Sequence, residues 1–310
     1  MSKRDIRGAS LHKWKITVAV LGALILLCGS LTLGLYLNGF RYLRVNYVHA
    51  PDGATEQIAF MGFIRKDGSL KKGNITCTDG KKGEVERLSE GSYRIRYQNG
   101  DLYEGEMDGL QRSGKGKLTY ASGDLYEGEF YADKPHGKGV YRYASGDFYE
   151  GSFSAGKKSG SGVYTWMKED GTVAAVYSGA FANDKRNGYG EFRSAEGTVY
   201  RGRFVNDKRE DDKAEVILPV EGGVDRYYGG YASDVRQGFG YYFYASGDVY
   251  VGEFQNNKPH GKGTVYFVNG GNYEGRFENG NVIKEEATEI PSEQATEELA
   301  QLDPTKNPLK

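Results

Sequence analysis

Eight tyrosines, each followed two residues later by glycine, stand at Tyr103, Tyr126, Tyr149, Tyr177, Tyr200, Tyr227, Tyr250 and Tyr273, with successive spacings of 23, 23, 28, 23, 27, 23 and 23 residues. A period kept this long means that one supersecondary unit recurs and buries its apolar face only against its neighbours. Paired glycines follow eleven and thirteen residues after the tyrosine in six units: Gly114/Gly116, Gly137/Gly139, Gly160/Gly162, Gly188/Gly190, Gly238/Gly240 and Gly261/Gly263. Another glycine comes at offset twenty, as in Gly123, Gly146, Gly197, Gly247 and Gly270.

The stretch "YEGEFYADKPHGKGVYRYASGDF" (126–148) shows what one unit is. Tyr126, Gly128 and Phe130 alternate, a polar "ADKPH" bend follows, Gly137, Gly139, Tyr141 and Tyr143 alternate again, and "ASGD" closes the unit. Period-two alternation on both sides of a bend is a β-hairpin with these residues on one face. Glycines beside rings leave hollows in which rings of adjacent hairpins can lie. A lone hairpin is marginal in water, so stacking must stabilise it. The expected fold is therefore all-β: an elongated array of antiparallel β-hairpins over 103–282, forming one twisted sheet about 75 Å long. In the unit from Tyr200, Asp211 and Lys213 replace the paired glycines, which puts its second strand in question. Upstream, Gly91, Tyr97 and Gly100-Asp101 keep half of the pattern, so 38–102 is expected to be a β-rich leader or cap with a degenerate repeat.

Tyr-x-Gly, then Gly-x-Gly, then a turn glycine resembles the MORN repeat (membrane occupation and recognition nexus) from Tyr103 to about Val282. The resemblance implies a membrane-associated scaffold and brings lipid binding into consideration.

Before the repeats, Ile16 to Leu37 runs 22 residues without a charge. At about 1.5 Å per residue that spans a hydrocarbon core of about 30 Å. A single transmembrane helix is expected over 16–37. A cleaved secretory signal fits poorly, because the run is too long and lacks a small-x-small site at its end. Lys3, Arg4, Arg7, Lys13 and Lys15 precede the span and only Arg41 and Arg44 follow, so 1–15 is expected to be a cytoplasmic basic tail with the repeats on the extracytoplasmic side of the cell membrane. The chain has two cysteines, Cys28 within the apolar run and Cys77, so no disulfide framework is available; a bacterial envelope protein fits. The segment 283–310 is acidic and nearly free of aromatics, expected to be a solvated, disordered tail with a short helix near "SEQATEELAQL".

Composition argues against several chemistries. A formal net charge of −1 and the lack of a long Lys/Arg block argue against nucleic acid. "GLQRSGKG" (109–116) nearly matches a phosphate loop, yet its glycines open a strand in phase with five other copies. His136 recurs as His260 in the same "KPHGKG" context, so repeat phase, not catalysis, sets its position. No catalytic residue, metal site or cofactor is expected, and the chain is read as no enzyme.

Two surfaces remain. Offsets eight and nine give a basic edge: Lys134, Lys157, Lys158, Lys185, Arg186, Lys208, Arg209, Arg236 and Lys258, opposed by Asp124, Asp147 and Asp248 at offset twenty-one. Offsets fifteen and seventeen give an aromatic row, Tyr141, Tyr143, Tyr164, Trp166, Tyr242, Tyr244 and Phe267, expected to be mainly core but partly open as a binding groove. The expected function is a membrane-anchored, non-catalytic scaffold that engages a protein partner or a second copy through that groove. The alternative is anionic lipid or envelope polysaccharide bound along the repeat surface.

Overall fold

The computed structural model describes residues 31–33, 35–48, 55–77, 80–283 and 288–302. Two compact units divide between Ala121 and Ser122. Residues 31–33 and 35–37 are helical; the rest of the expected transmembrane span, 16–30 and 34, lies outside the described residues, as does the expected cytoplasmic tail 1–15. Among the described residues no helix is long and apolar enough to cross a membrane.

The first unit is a meander in which each strand pairs antiparallel with the next: β1 (Phe40–Val48), β2 (Thr55–Ile64), β3 (Leu70–Thr76), β4 (Lys82–Ser89), β5 (Ser92–Tyr97), β6 (Leu102–Asp108) and β7 (Gln111–Thr119). The leader 38–102 thus continues the hairpin pattern. Phe60 pairs with Ile75 and Gly62 with Gly73, repeating the offsets two, thirteen and fifteen of the later units with Phe in place of Tyr. A Cβ on Gly73 would come within 2.6 Å of the Phe60 ring. The near-phosphate-loop "GLQRSGKG" is the turn into β7 and β7 itself.

The second unit continues as β8 (Leu125–Tyr131), β9 (Lys134–Arg142), β10 (Phe148–Ser154), β11 (Lys157–Met167), β12 (Val173–Ala182), β13 (Lys185–Ser194), β14 (Val199–Val205), β15 (Lys208–Arg209), β16 (Asp211–Val220), β17 (Gly223–Ala232), β18 (Val235–Phe243), β19 (Val249–Gln255), β20 (Lys258–Tyr266) and β21 (Asn272–Glu278). All pairings are antiparallel between neighbours, with β14 pairing both β15 and β16. The bend expected at "ADKPH" is tighter: Tyr131 pairs Lys134 across Ala132 and Asp133, at φ of 48° and 65°. Two left-handed residues in a row are the mark of a type I′ turn, whose twist matches that of the strands. Asn183-Asp184, Asn206-Asp207, Ser233-Asp234 and Asn256-Asn257 repeat it. Short polar side chains tolerate that backbone best among non-glycine residues.

The paired glycines have different tasks. The first of each pair, such as Gly137 at φ +59°, is in the left-handed region opposite a β-bulge that follows Gly128. The second faces the tyrosine: a Cβ on Gly139 would stand 2.5 Å from the Tyr126 hydroxyl. Relieved of that Cβ, the ring lies flat on the backbone. Seven of these tyrosines, Tyr103 through Tyr250, are at most 1 % exposed. Each donates its hydroxyl proton to the backbone carbonyl three residues on, at 2.5–3.1 Å. The buried phenol is therefore hydrogen-bonded, as burial requires.

Across repeats, the phenylalanine at offset four is wedged between two tyrosines. Phe153 meets Tyr149 at 5.1 Å and Tyr126 at 5.0 Å, both edge to face, and Phe181, Phe204 and Phe254 do likewise in their units. Tyr231 takes the place of the phenylalanine between Tyr200 and Tyr227. Such pairs contribute about 0.5–1.5 kcal/mol each beyond area burial.

The unit from Tyr200 does complete its hairpin, contrary to the doubt raised by Asp211 and Lys213. Tyr200 pairs Val216, sixteen residues on where other units have fifteen. The chain breaks pairing at Glu210, and the extra residue puts Ala214 opposite Gly229, where other units have their second glycine. The Asp211 carboxylate caps the break, accepting from the Arg203 and Lys213 N–H groups.

At the end of the expected array β22 (Asn281–Val282) pairs β21, and within the expected tail β23 (Thr288–Ile290) pairs β21 and a helix spans Ser292–Gln301. Residues 284–287 and 303–310 lie outside the described residues. The helix buries Ala295 with Val249, Tyr266 and Ile290, and the Tyr266 hydroxyl donates to Glu298 at 2.6 Å. This cluster sits on the face opposite the tyrosines, so the last hairpins are covered there by the chain's own C-terminal segment.

Gly139→Val should cost about 1–3 kcal/mol by forcing a side chain into the Tyr126 ring, while His136→Ala, at an exposed position, should leave the melting temperature nearly unchanged; thermal melts of both variants check this.

Candidate functional site

The tyrosine face has no covering layer among the described residues of the second unit, and its aromatic row is where partner contact is geometrically possible. Tyr141, Tyr143, Tyr164 and Trp166 are half-buried. They form one continuous line: Tyr141–Tyr143 at 4.6 Å, Tyr143–Tyr164 at 5.8 Å, Tyr164–Trp166 at 4.5 Å, and Trp166 on to Phe192 at 5.9 Å. Phe192, which the sequence reading passed over, is at offset fifteen from Tyr177 and could have been found by phase alone. The later predicted residues form a separate group. Tyr242 is buried, Tyr244 lies 4.4 Å from it and is 36 % exposed, and Phe267 is 38 % exposed. The irregular Tyr200 unit, with Val216 and Leu218 in the row, separates the two groups.

Aspartates at the connections between hairpins hold the row in place. Asp124 accepts the Tyr141 hydroxyl at 2.9 Å and the Ala144 N–H at 2.8 Å. Asp147 does the same for Tyr164 and Met167, and Asp225 for Tyr242 and Ala245. The predicted acidic edge is therefore a set of clasps from one turn to the next hairpin. Burial pushes the Tyr242 phenol up to about 12, and its bond to Asp225 adds to that. Burial likewise raises Tyr164, with Asp147 contributing. These hydroxyls stay protonated near neutral pH.

The basic edge divides in two. At offset eight, Lys134, Lys157, Lys185 and Lys258 are exposed. At offset nine, Lys158, Arg186, Arg209 and Arg236 fold back over rings. The Arg186 guanidinium lies 4.8 Å from the Phe204 centroid, Arg209 4.9 Å from Tyr231, and Arg236 4.7 Å from Tyr242; the Lys158 ammonium lies 4.7 Å from Tyr164. Cations so placed contribute about 0.5–2 kcal/mol.

The offset-nine residues also clasp the next hairpin tip. The Arg186 N–H donates to the Asp207 carboxylate at 2.9 Å, the Asp207 N–H donates back to the Arg186 carbonyl, and the guanidinium reaches Asp207 twice more. Arg209 with Asp234 repeats this, and Arg236 with Asn257 repeats it without the guanidinium–carboxylate contact. Pro135 and Pro259 have no N–H to donate, and the residues opposite them are Gly156 and Gly280, which have no acceptor side chain.

His136 pairs across the strand with Glu129 and its ring lies 5.6 Å from Tyr131. Among the described residues no group of three or more His, Cys, Asp or Glu is placed to hold a metal.

Stacked hairpins with one half-open aromatic row are what the described residues of the second unit present. The MORN repeat is detected in six segments, residues 103–125, 126–148, 149–170, 177–199, 227–249 and 250–272. The irregular unit from Tyr200 lies outside them. No curated protein matches the chain. Among solved structures, the SAS-4 (dCPAP) TCP domain of Drosophila melanogaster, in complex with a proline-rich motif of Ana2 (dSTIL), matches at 14 % identity over 59 % of this chain and 88 % of that one. Its TM-score of 0.29 gives that likeness no weight for fold or partner.

Burial also pushes Tyr149 and Tyr177 up to about 12, against about 10 in an unfolded chain. A raised folded pKa means that the fold favours the neutral phenol, so this stabilisation is complete below about pH 10 and is lost as pH rises through about 12. Melting temperature should fall across that window, in step with tyrosinate absorbance; a melting temperature unchanged there would disprove the coupling.

Proposed function

We propose that the chain is a non-catalytic binding and scaffolding module that holds a protein partner on its aromatic row, anchored in the cell membrane through 16–37. The observation that carries the first part is the half-open line Tyr141–Tyr143–Tyr164–Trp166–Phe192. Large rings that are already rigid lose little entropy on binding and supply the anchors typical of protein interfaces. The edge charges support a protein over an anionic polymer: Arg186 and Arg209 are committed to aspartates and rings, which leaves a spaced row of single lysines. Exposed ion pairs and exposed lysines contribute little once screened by salt.

The membrane part rests on the uncharged run and on the five-to-two bias of flanking cations, which favours a cytoplasmic N-terminus and extracytoplasmic repeats at the cell envelope. The exposure of Leu31, Leu33 and Leu37 at the end of that run is consistent with a lipid-facing segment.

A photo-crosslinking residue at position 166 in intact cells should give discrete protein adducts. They should disappear in the Tyr143→Ala/Tyr164→Ala variant and persist at about 0.5 M salt, where the screening length is roughly 4 Å. Adducts kept in that variant but lost when Lys134, Lys157, Lys185 and Lys258 become Gln would instead assign binding to the charged edge. Protease added to spheroplasts should digest the repeats; protection of a C-terminal tag would contradict the orientation.

A further inference from the structure

The last complete repeat, from Tyr250, holds a cavity of about 350 Å³ on the tyrosine face. Its lining matches, position for position, what surrounds the folded-back cations of earlier repeats. Arg236 lies over its own tyrosine (Tyr227, 5.6 Å), over the ring at offset fifteen (Tyr242, 4.7 Å) and over the next repeat's wedge (Phe254, 5.8 Å). Arg186 likewise lies over Tyr177, Phe204 and the preceding Trp166 at offset seventeen. The cavity is lined by Tyr250, Val265 and Phe277 at the first three of these positions and by Tyr244 at the fourth.

Two substitutions open the space. Pro259 stands at offset nine, where Lys158, Arg186, Arg209 and Arg236 stand in other repeats, so no side chain of this repeat supplies the cation. Val265 stands where Tyr141, Tyr164 and Tyr242 stand, so the ring that would fill the remainder is missing too. The second change also alters Asp248. Its counterparts Asp124, Asp147 and Asp225 each give one carboxylate oxygen to a turn N–H and the other to the tyrosine at offset fifteen. Asp248 keeps its turn bond, from the Val268 N–H at 3.0 Å, but has only the Ser246 hydroxyl in place of a tyrosine. Asp248 lines the cavity, and its carboxylate retains lone pairs for another donor. Gly280, at the tip position whose carbonyl receives the guanidinium of Arg186, Arg209 or Arg236 in earlier repeats, lines it as well.

We propose that this cavity is a preformed seat for an arginine side chain presented by a protein partner. The chain shows the required chemistry three times within itself: a guanidinium between a tyrosine and a wedge ring, with its N–H groups on a tip carbonyl. In the Tyr250 repeat those surfaces are in place, the rim carboxylate of Asp248 has no tyrosine partner, and among the described residues the offset-nine cation is missing, its place left to another molecule. Guanidinium suits the site better than ammonium because its planar fork stacks on rings and can bond carbonyl and carboxylate together. The seat rests on the protein-binding function proposed above and adds to it the chemistry of one anchor.

Ligand-observed NMR titration of the intact chain with acetyl-Ala-Arg-Ala-amide, and with the same peptide carrying citrulline, tests it. The arginine peptide should bind saturably and about tenfold or more tighter than the citrulline peptide, as expected when a charge-assisted bond is lost. Asp248→Asn should weaken binding by a similar factor. Pro259→Arg, which supplies the internal cation, and Val265→Tyr, which fills the space with a ring, should each abolish it while the chain still melts cooperatively. Absence of saturable binding, equal binding of the citrulline peptide, or binding that survives in both filled variants overturns the proposal. Protein adducts at position 166 that persist in Pro259→Arg, with no arginine-peptide binding in the wild type, would leave the scaffold function standing and remove the arginine seat alone.

Discussion

The interaction on which the second unit depends is the edge-to-face wedge of one ring between two tyrosines of successive hairpins. Phe153, Phe181, Phe204, Tyr231 and Phe254 each touch the tyrosine of their own repeat and that of the repeat before. A hairpin alone cannot bury both faces, so these wedges turn a series of marginal units into a connected stack. The backbone is shaped for them. A glycine beneath each ring, a left-handed glycine opposite a bulge, and a backbone carbonyl within reach of the phenol proton all follow from letting one ring lie against the sheet.

Once the rings occupy one face, the two margins have to keep each hairpin in register with the next. At one margin the offset-nine N–H meets an Asp or Asn carboxylate or amide of the following tip; at the other an Asp of one connection meets the N–H and tyrosine of the next hairpin. Charge at the edges thus serves mainly to position backbone, and net surface potential is a by-product. This is why a run of lysines and arginines that looks like a polyanion track in the sequence becomes, in three dimensions, a row of clasps with single lysines between them.

The hairpins, their face and the tasks of the glycines as packing devices were legible because glycine and aromatic positions recur in strict phase. Less legible were features that a fixed offset from a tyrosine does not show. Phe60 begins a unit without a tyrosine, and a search for Tyr-x-Gly passes over it. Asp211 and Lys213 suggested a broken strand, whereas one inserted residue moves Ala214 into the glycine place and the strand continues. The exchange of Arg for Pro at offset nine, coupled to Asp or Asn for Gly at the following tip, is written in the sequence, but its meaning appears only when the two positions are seen to bond across repeats. The candidate row was found from the same phase, Phe192 excepted, while the division into two groups required the geometry of the Tyr200 unit.

The wedge can be tested where it should matter most, at Phe181 between Tyr149 and Tyr177. Native-state hydrogen exchange on Phe181→Ala should show β10 through β13 losing about 3–5 kcal/mol of protection, on both sides of the missing ring and not only in β12, which carries it. Protection unchanged in β10 and β11, with loss confined to β12 and β13, would contradict the claim that rings shared between repeats hold this array together.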